Sequence, residues 1–335
     1  MHTGKRYTPW EFIKWTKRAI FCMLLLASIP TILYALGFTF IVLPWQPVAI
    51  VGTAVAFIVG FKNNASYNRI WEARQIYGSI INDSRSFAYS VRDALGGKDS
   101  EVVRRIIYRH FAWLTAMRFQ LREPRDWENT HNSNNDEFRN DRFCIPEAIT
   151  TLSEELKPYL SEKEHSYIVS KKNKATQLTA LQSEELAKLR QQGAINDFQW
   201  TLLQNSIIKF TDDQGRAERI KNFPYPRNFS SIATYLLFVF IILAPFALVG
   251  EMHKLGEGSV IEGWTIWLNI PFSALICWAF HTLDSVGESS VNPFEGTAND
   301  VPITQISRTI EIDLRDMLDE TELPQPILPK RNIVL

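Results

Sequence analysis

Apolar positions in this chain come in two textures, unbroken runs and periodic stripes. From Ala19 to Phe61, from Asn228 to Gly250 and from Gly263 to Phe280 there is no charged side chain. At ~1.5 Å per helical residue each run reaches roughly 27 Å or more, the thickness of a bilayer core. The first run is too long for one span. Leu43-Pro44-Trp45-Gln46-Pro47, with two prolines and an interfacial tryptophan, divides it at a membrane face. Four spans are therefore expected. Elsewhere the apolar residues recur at helical spacing, as in Ile76-Tyr77, Ile80-Ile81, Phe87 and Val91, then Val103, Ile106-Ile107, His110-Phe111 and Leu114.

That texture predicts an all-α, multi-span membrane protein with a helical domain inserted between the second and third spans. The expected divisions are an N-terminal segment (1–18), the first two membrane helices (19–61), a helical domain (62–227), the last two membrane helices (228–282) and a C-terminal segment (283–335). Within the insert, one helix ends at Gly96-Gly97, Asn129 to Asn140 is an asparagine-rich loop, and Pro146 to Ser170, Ala175 to Gln192 and Ile195 to Phe210 read as three further helices. No segment has convincing strand character, and there is no internal repeat.

Charge adds orientation. Lys5, Arg6, Lys14, Lys17 and Arg18 precede the first span, Lys62, Arg69 and Arg74 follow the second, and Arg227 precedes the third. By the positive-inside rule both termini and the insert are cytoplasmic, in an inner or plasma membrane, while the 43–47 turn and the Glu251 to Glu262 loop face outward. A cleaved signal peptide is not expected, because the first apolar stretch is long and contains Pro30 and Gly37. Net charge is zero and excludes nothing. Cys22, Cys144 and Cys277 lack metal-ligand spacing and read as free thiols.

The second span carries the sharpest pattern. Thr53, Phe57 and Phe61 stand at i, i+4 and i+8, and Gly52, Ala56 and Gly60 form a neighbouring stripe of small residues. Small residues at that spacing let helix backbones approach in lipid. Copies of this helix packed about an axis would turn the aromatic stripe inward as a hydrophobic constriction, of a kind that gates by dewetting. The other reading is that the phenylalanines face lipid or the other spans and the small stripe packs within one subunit. Asn63, Asn64, Tyr67 and Asn68 follow and could line a wet vestibule or make subunit contacts. Lys62 lies about 100° from the stripe and is given no role.

Other constellations are weaker. His281, Asp284 and Glu288 share one helical face, as a metal site or as polar groups satisfying the end of the last span. Arg69, Glu72 and Arg74 read as a structural ion-pair set. No phosphate loop, dinucleotide fingerprint, nucleic-acid motif or defensible nucleophile-base pair is present, so neither an enzyme nor a cofactor is expected.

The run "AFIVGFKNNASYNRIWEAR", with "SSVNPFEG" after the last span, resembles the bestrophin family of membrane ion channels in its prokaryotic branch, over about Trp10 to Ile310. The resemblance implies a homopentamer around one central pore that passes monovalent ions, chloride or other anions first, with the lipid bilayer as its other partner. A cation-selective channel of the same fold, or a membrane-anchored sensor without conductance, are the alternatives. The family's neck maps onto Thr53, Phe57 and Phe61, Thr53 departing from the usual aliphatic and making the outer ring wetter. A cytosolic aperture maps, less directly, onto Thr201 before Leu202-Leu203-Gln204. Where calcium-gated members place an acidic cluster, this chain has only Glu295 and Asp300 after Asn292-Pro293-Phe294, too few carboxylates for calcium gating of that kind.

Overall fold

Tryptophan, glutamine and proline open the second helix, and for the next 50 residues, Trp45–Ala94, no residue breaks it. Proline in the first turn costs no hydrogen bond there, and the helix stops two residues before Gly96, which takes φ 91°. In the computed structural model, which describes residues 1–98, 100–128, 143–258 and 260–335, the chain is helical and no strand occurs among the described residues. The helices are α1 (Pro9–Ala35), α2 (Trp45–Ala94), α3 (Glu101–Arg122), α4 (Leu152–Leu156), α5 (Glu162–Val169), α6 (Lys174–Gln191), α7 (Asp197–Asn222), α8 (Arg227–Gly256), α9 (Asn269–Glu288) and α10 (Ile303–Met317).

The chain divides into two compact units. One, the membrane unit, comprises Lys5–Asn68 and Pro224–Val291, and the other, the helical body, comprises Met1–Gly4, Arg69–Phe223 and Asn292–Leu335. Four helical stretches among the described residues are long and apolar enough to cross a membrane, within Pro9–Ala35, Thr39–Ala94, Asp197–Gly256 and Thr265–Glu288.

In the membrane unit α1, α8 and α9 pack on one another. α1 begins at a capping box, with Thr8 and Glu11 exchanging backbone hydrogen bonds and Pro9 in the first turn. Its connection to α2 starts earlier than the sequence implied, at Gly37 with φ 95°, and Trp45 and Pro47 lie inside the first turn of α2. A buried polar knot ties three helices together. Asn269 donates to the Thr31 hydroxyl at 2.9 Å and the Pro245 carbonyl at 3.1 Å, and Ser273 donates to Asn269 at 2.7 Å. In hydrocarbon such groups bond each other because water is absent. Pro245 has no N–H, which releases the carbonyl of Ile241 one turn back, and the Cys277 thiol donates to that carbonyl at 3.7 Å.

In the helical body α3 is the central element, packing against α6 and α10 and touching α4 and α7. Ile106, Ile107, Phe111, Leu114 and Met117 of α3 are buried with Ile76, Ile80, Phe87 and Val91 of α2. Segment 146–170 is not one helix. Pro146 starts a single 3-10 turn, Pro158 interrupts the rest, and two capping boxes, Thr151 with Glu154 and Ser161 with Glu164, restart it as α4 and α5. α7 runs to Asn222, twelve residues beyond the expected end at Phe210, its Asp213, Gln214 and Lys221 buried among polar partners rather than apolar ones. The asparagine-rich loop expected at Asn129 to Asn140 lies outside the described residues. The C-terminal segment from 292 onward belongs to the body, where α10 packs on α3.

Candidate pore face and the loop after the last span

Within the membrane unit, one side of α2 is inside and the other is bare. Val48, Val55 and Val59 are buried with Leu237, Phe240 and Ala274. Thr53, Ala56, Phe57, Gly60 and Phe61 are exposed, Phe57 at 65% and Phe61 at 70%. The Thr53 hydroxyl donates to the Ala49 carbonyl at 2.9 Å, one turn back, so its proton is spent on its own helix and only lone pairs face outward. The small stripe does two different things. A Cβ on Gly52 would meet the Phe240 ring at 2.6 Å, whereas one on Gly60 would meet nothing within 4 Å. Gly52 serves packing inside the unit, and Gly60 shares the open face of the aromatic pair.

The polar continuation also divides. Asn63 is half-buried and donates to the Leu283 carbonyl at 3.0 Å, while Asn64, Tyr67 and Asn68 are exposed. Lys62 is buried and donates to Asp284 at 2.8 Å. The position of Asp284 on the His281, Asp284, Glu288 face is explained by that pair, and no three metal-capable side chains converge among the described residues.

In the body, Thr201 lies exposed near the start of α7, its hydroxyl donating to the Asp197 carbonyl at 2.8 Å. Leu202 beside it is exposed, Leu203 is buried, and Gln204 accepts from Ser183 at 3.1 Å. Of the Arg69, Glu72 and Arg74 set, Arg69 and Glu72 both reach α7. Arg69 donates to the carbonyls of Ile220 and Phe223 at 2.7 and 2.9 Å, closing the C-terminal end of α7, and Glu72 pairs with Arg219.

The loop after the last span is held by buried charge. Arg122 donates to the Phe294 carbonyl at 2.8 Å. Asp300 is fully buried and accepts from the backbone N–H groups of Gly296 at 2.7 Å and Thr297 at 3.0 Å and from the Thr297 hydroxyl. Burial pushes its carboxyl above the usual range against the pull of Arg122 and these donors. Glu295 is buried and accepts from Asn292. The sequence singled out these two acids but not the arginines that complete the arrangement. Arg109, Arg118 and Arg122 are buried on α3, paired respectively with Glu164, with Glu147 at 2.6 Å, and with Glu147 and Asp300 at 3.7 Å. Burial opposes ionisation of Glu147, but Arg122 and Arg118 outweigh it and hold the carboxyl below the ordinary range. A run of arginines at helical spacing on an otherwise core-facing helix was the available signal.

Residues 13–316 match the model of the family described as Bacterial/Fungal Bestrophin protein. The voltage-dependent anion channel-forming protein YneE of Escherichia coli (strain K12) is 30% identical over 290 residues, covering 86% of this chain and 82% of that protein. A similarly described protein of Ralstonia nicotianae is 26% identical, covering 83% of this chain and 78% of that protein. A crystal structure of a bacterial bestrophin homologue from Klebsiella pneumoniae superposes with a TM-score of 0.75 at 25% identity, covering 91% of this chain and 98% of the other. A single family thus accounts for the four spans, the helical body and the Asn-Pro-Phe loop together, and the chain belongs to the bestrophins, which are membrane ion channels and not enzymes.

Proposed function

We propose that the chain is one subunit of a passive anion channel, a homopentamer in which the bare face of α2 lines the pore. The observation that carries this reading is the division of α2 in the membrane unit: valines packed inward on one side, Thr53, Phe57 and Phe61 with Gly60 open on the other. A lipid-facing surface has no need of glycine, alanine and threonine. An axis shared by several copies does, because the small residues admit neighbouring helices and the rings then converge. The names of the relatives, voltage-dependent anion channel-forming proteins, favour anions as permeants.

In this reading Phe57 and Phe61 form two apolar rings that impede ions by dewetting, and Thr53 forms a third, wetter ring presenting lone pairs. Asn64, Tyr67 and Asn68 line the vestibule beyond, and Thr201 is a second, cytosolic ring. The basic flanks support a cytoplasmic location for both termini and for the body. Asp300 is engaged by loop amides and Glu295 by Asn292, which supports a structural role for the pair and gating without calcium.

An apolar neck carries no charge sign, so the test is the reversal potential of the purified protein in a planar bilayer under a potassium chloride gradient. A shift to the chloride equilibrium potential is expected, and a shift to the potassium potential would overturn the anion assignment. Phe57→Ala should wet the neck and raise conductance or open probability severalfold with assembly intact. Unchanged currents in that variant would move the gate away from Phe57.

A further inference from the structure

A feature of the helical body that the channel reading leaves unused is a cavity of about 1060 Å³ at the C-terminal end of α3. Phe119, Ile145, Ile149 and Leu152 give it apolar walls, and Arg122 and Glu147 give it a charged floor. Both charged side chains are 2% exposed. Arg122 spends Nη1 on the Phe294 carbonyl, leaving Nε and Nη2 without a hydrogen-bond partner. Glu147 spends Oε1 on Arg118 and Thr304, each at 2.6 Å, leaving Oε2 likewise without one. Nε and Oε2 are 3.7 Å apart, too far for a hydrogen bond to each other.

Buried polar atoms left in that state are costly, the more so when charged. Nε and Nη2 lie on one edge of the guanidinium, the fork that takes a carboxylate through two parallel hydrogen bonds. Oε2 of an ionised carboxylate can only accept, so its partner must donate. We propose that this cavity binds a small organic acid carrying a hydroxyl or ammonium donor on the carbon next to its carboxylate, a 2-hydroxy or 2-amino acid. On a small outward shift of the side chains that seal them, the Arg122 fork takes the carboxylate, the neighbouring donor reaches Glu147, and the remainder of the molecule lies against Ile145, Ile149 and Leu152. Such a ligand would act on the body and its Asn-Pro-Phe loop through Arg122, which holds the Phe294 carbonyl.

Three acids that differ only at the second carbon separate the terms: L-lactate, L-alanine and propionate. Cys144 is exposed and lines the cavity, so the rate of its alkylation by a maleimide, read by peptide mass on the full-length protein in detergent, reports occupancy beside calorimetric titration. Lactate or alanine is expected to protect Cys144 at a concentration roughly tenfold or more below that needed for propionate. The better of the two identifies the donor as hydroxyl or ammonium. Equal behaviour of all three acids, or protection by none, would overturn the proposal. Arg122→Lys keeps the charge and loses the fork, and should weaken binding by roughly tenfold. Because Arg122 also holds the loop, Ile149→Trp supplies an independent variant: Ile149 is exposed on the cavity wall, and filling the space from there should abolish protection without disturbing the ion pairs. None of these readouts depends on ion current.

Discussion

His110 shows how one side chain can set a pH dependence. It is buried in the body, 2.8 Å from the Ser84 hydroxyl, stacked on Trp113 at 5.2 Å and against Phe210 at 4.6 Å. Burial pushes its pKa down to about 3, so the folded protein keeps it neutral where an unfolded chain would protonate it below about 6.5. Between those values the unfolded state binds the extra proton, and stability falls as pH falls, by about 1.4 kcal/mol per pH unit from this group. Unfolding monitored by tryptophan fluorescence at pH 7 and pH 5 should show that loss, and His110→Gln should remove it. An unchanged difference between the two pH values would refute the assignment. Lys62 and Asp284 make the second case. Asp284→Leu strands a buried ammonium and should destabilise the protein by about 3–5 kcal/mol, whereas Lys62→Met combined with Asp284→Leu should recover most of it. Thermal melting of the two variants checks this, and equal losses would show that the pair is not coupled. Spacing alone revealed that Lys62 is off the open face of α2, but not its partner, because Asp284 is 222 positions away.

Among the elements, α2 was the most legible. Its apolar start, its unbroken polar continuation and the paired glycines at its end all appear in local sequence. What the sequence did not disclose is that Gly52 and Gly60, one stripe by spacing, meet different neighbours, since that depends on where Phe240 of α8 lies. Gly52→Val should therefore overpack the membrane unit and cost about 1–3 kcal/mol. Gly60→Val finds open space within the subunit, so its effect should fall on assembly, read as subunit number by light scattering, with little change in melting temperature. Equal destabilisation by both would mean that the stripe acts as one surface. The helices of 146–170 were misjudged for a nameable reason: apolar periodicity continues across Pro158, while the restart signals are the hydroxyl-x-x-Glu pairs at Thr151 and Ser161. The extended end of α7 was missed because its buried face is partly polar, Gln214 accepting from Trp113 at 2.9 Å.

For the molecule, three charge-free runs, the first divided by a turn, and a helical insert were enough to reach the fold class, and the Asn-Asn-Ala-Ser-Tyr and Asn-Pro-Phe motifs to reach the family. The internal assignment of 292–335 to the body was not legible, because it rests on the long-range hydrogen bond of Arg122 to Phe294, its ion pair with Asp300, and α10 packing against α3. A shared pore predicts that Ala56→Cys, on the open face of α2, forms intersubunit disulfides under mild oxidation, visible as dimers on denaturing gels. Absence of such dimers would argue against neighbouring α2 helices meeting there. The three native thiols bear on how a cell could control such a channel. Cys277 is buried and donates a hydrogen bond to the carbonyl that Pro245 sets free, and Cys22 sits within a span. Thiolate chemistry needs water, and of the two exposed thiols, Cys22 and Cys144, only Cys144 lies outside the spans. Oxidative stress would then be felt at the mouth of the body's cavity, leaving the conducting pathway itself blind to redox state.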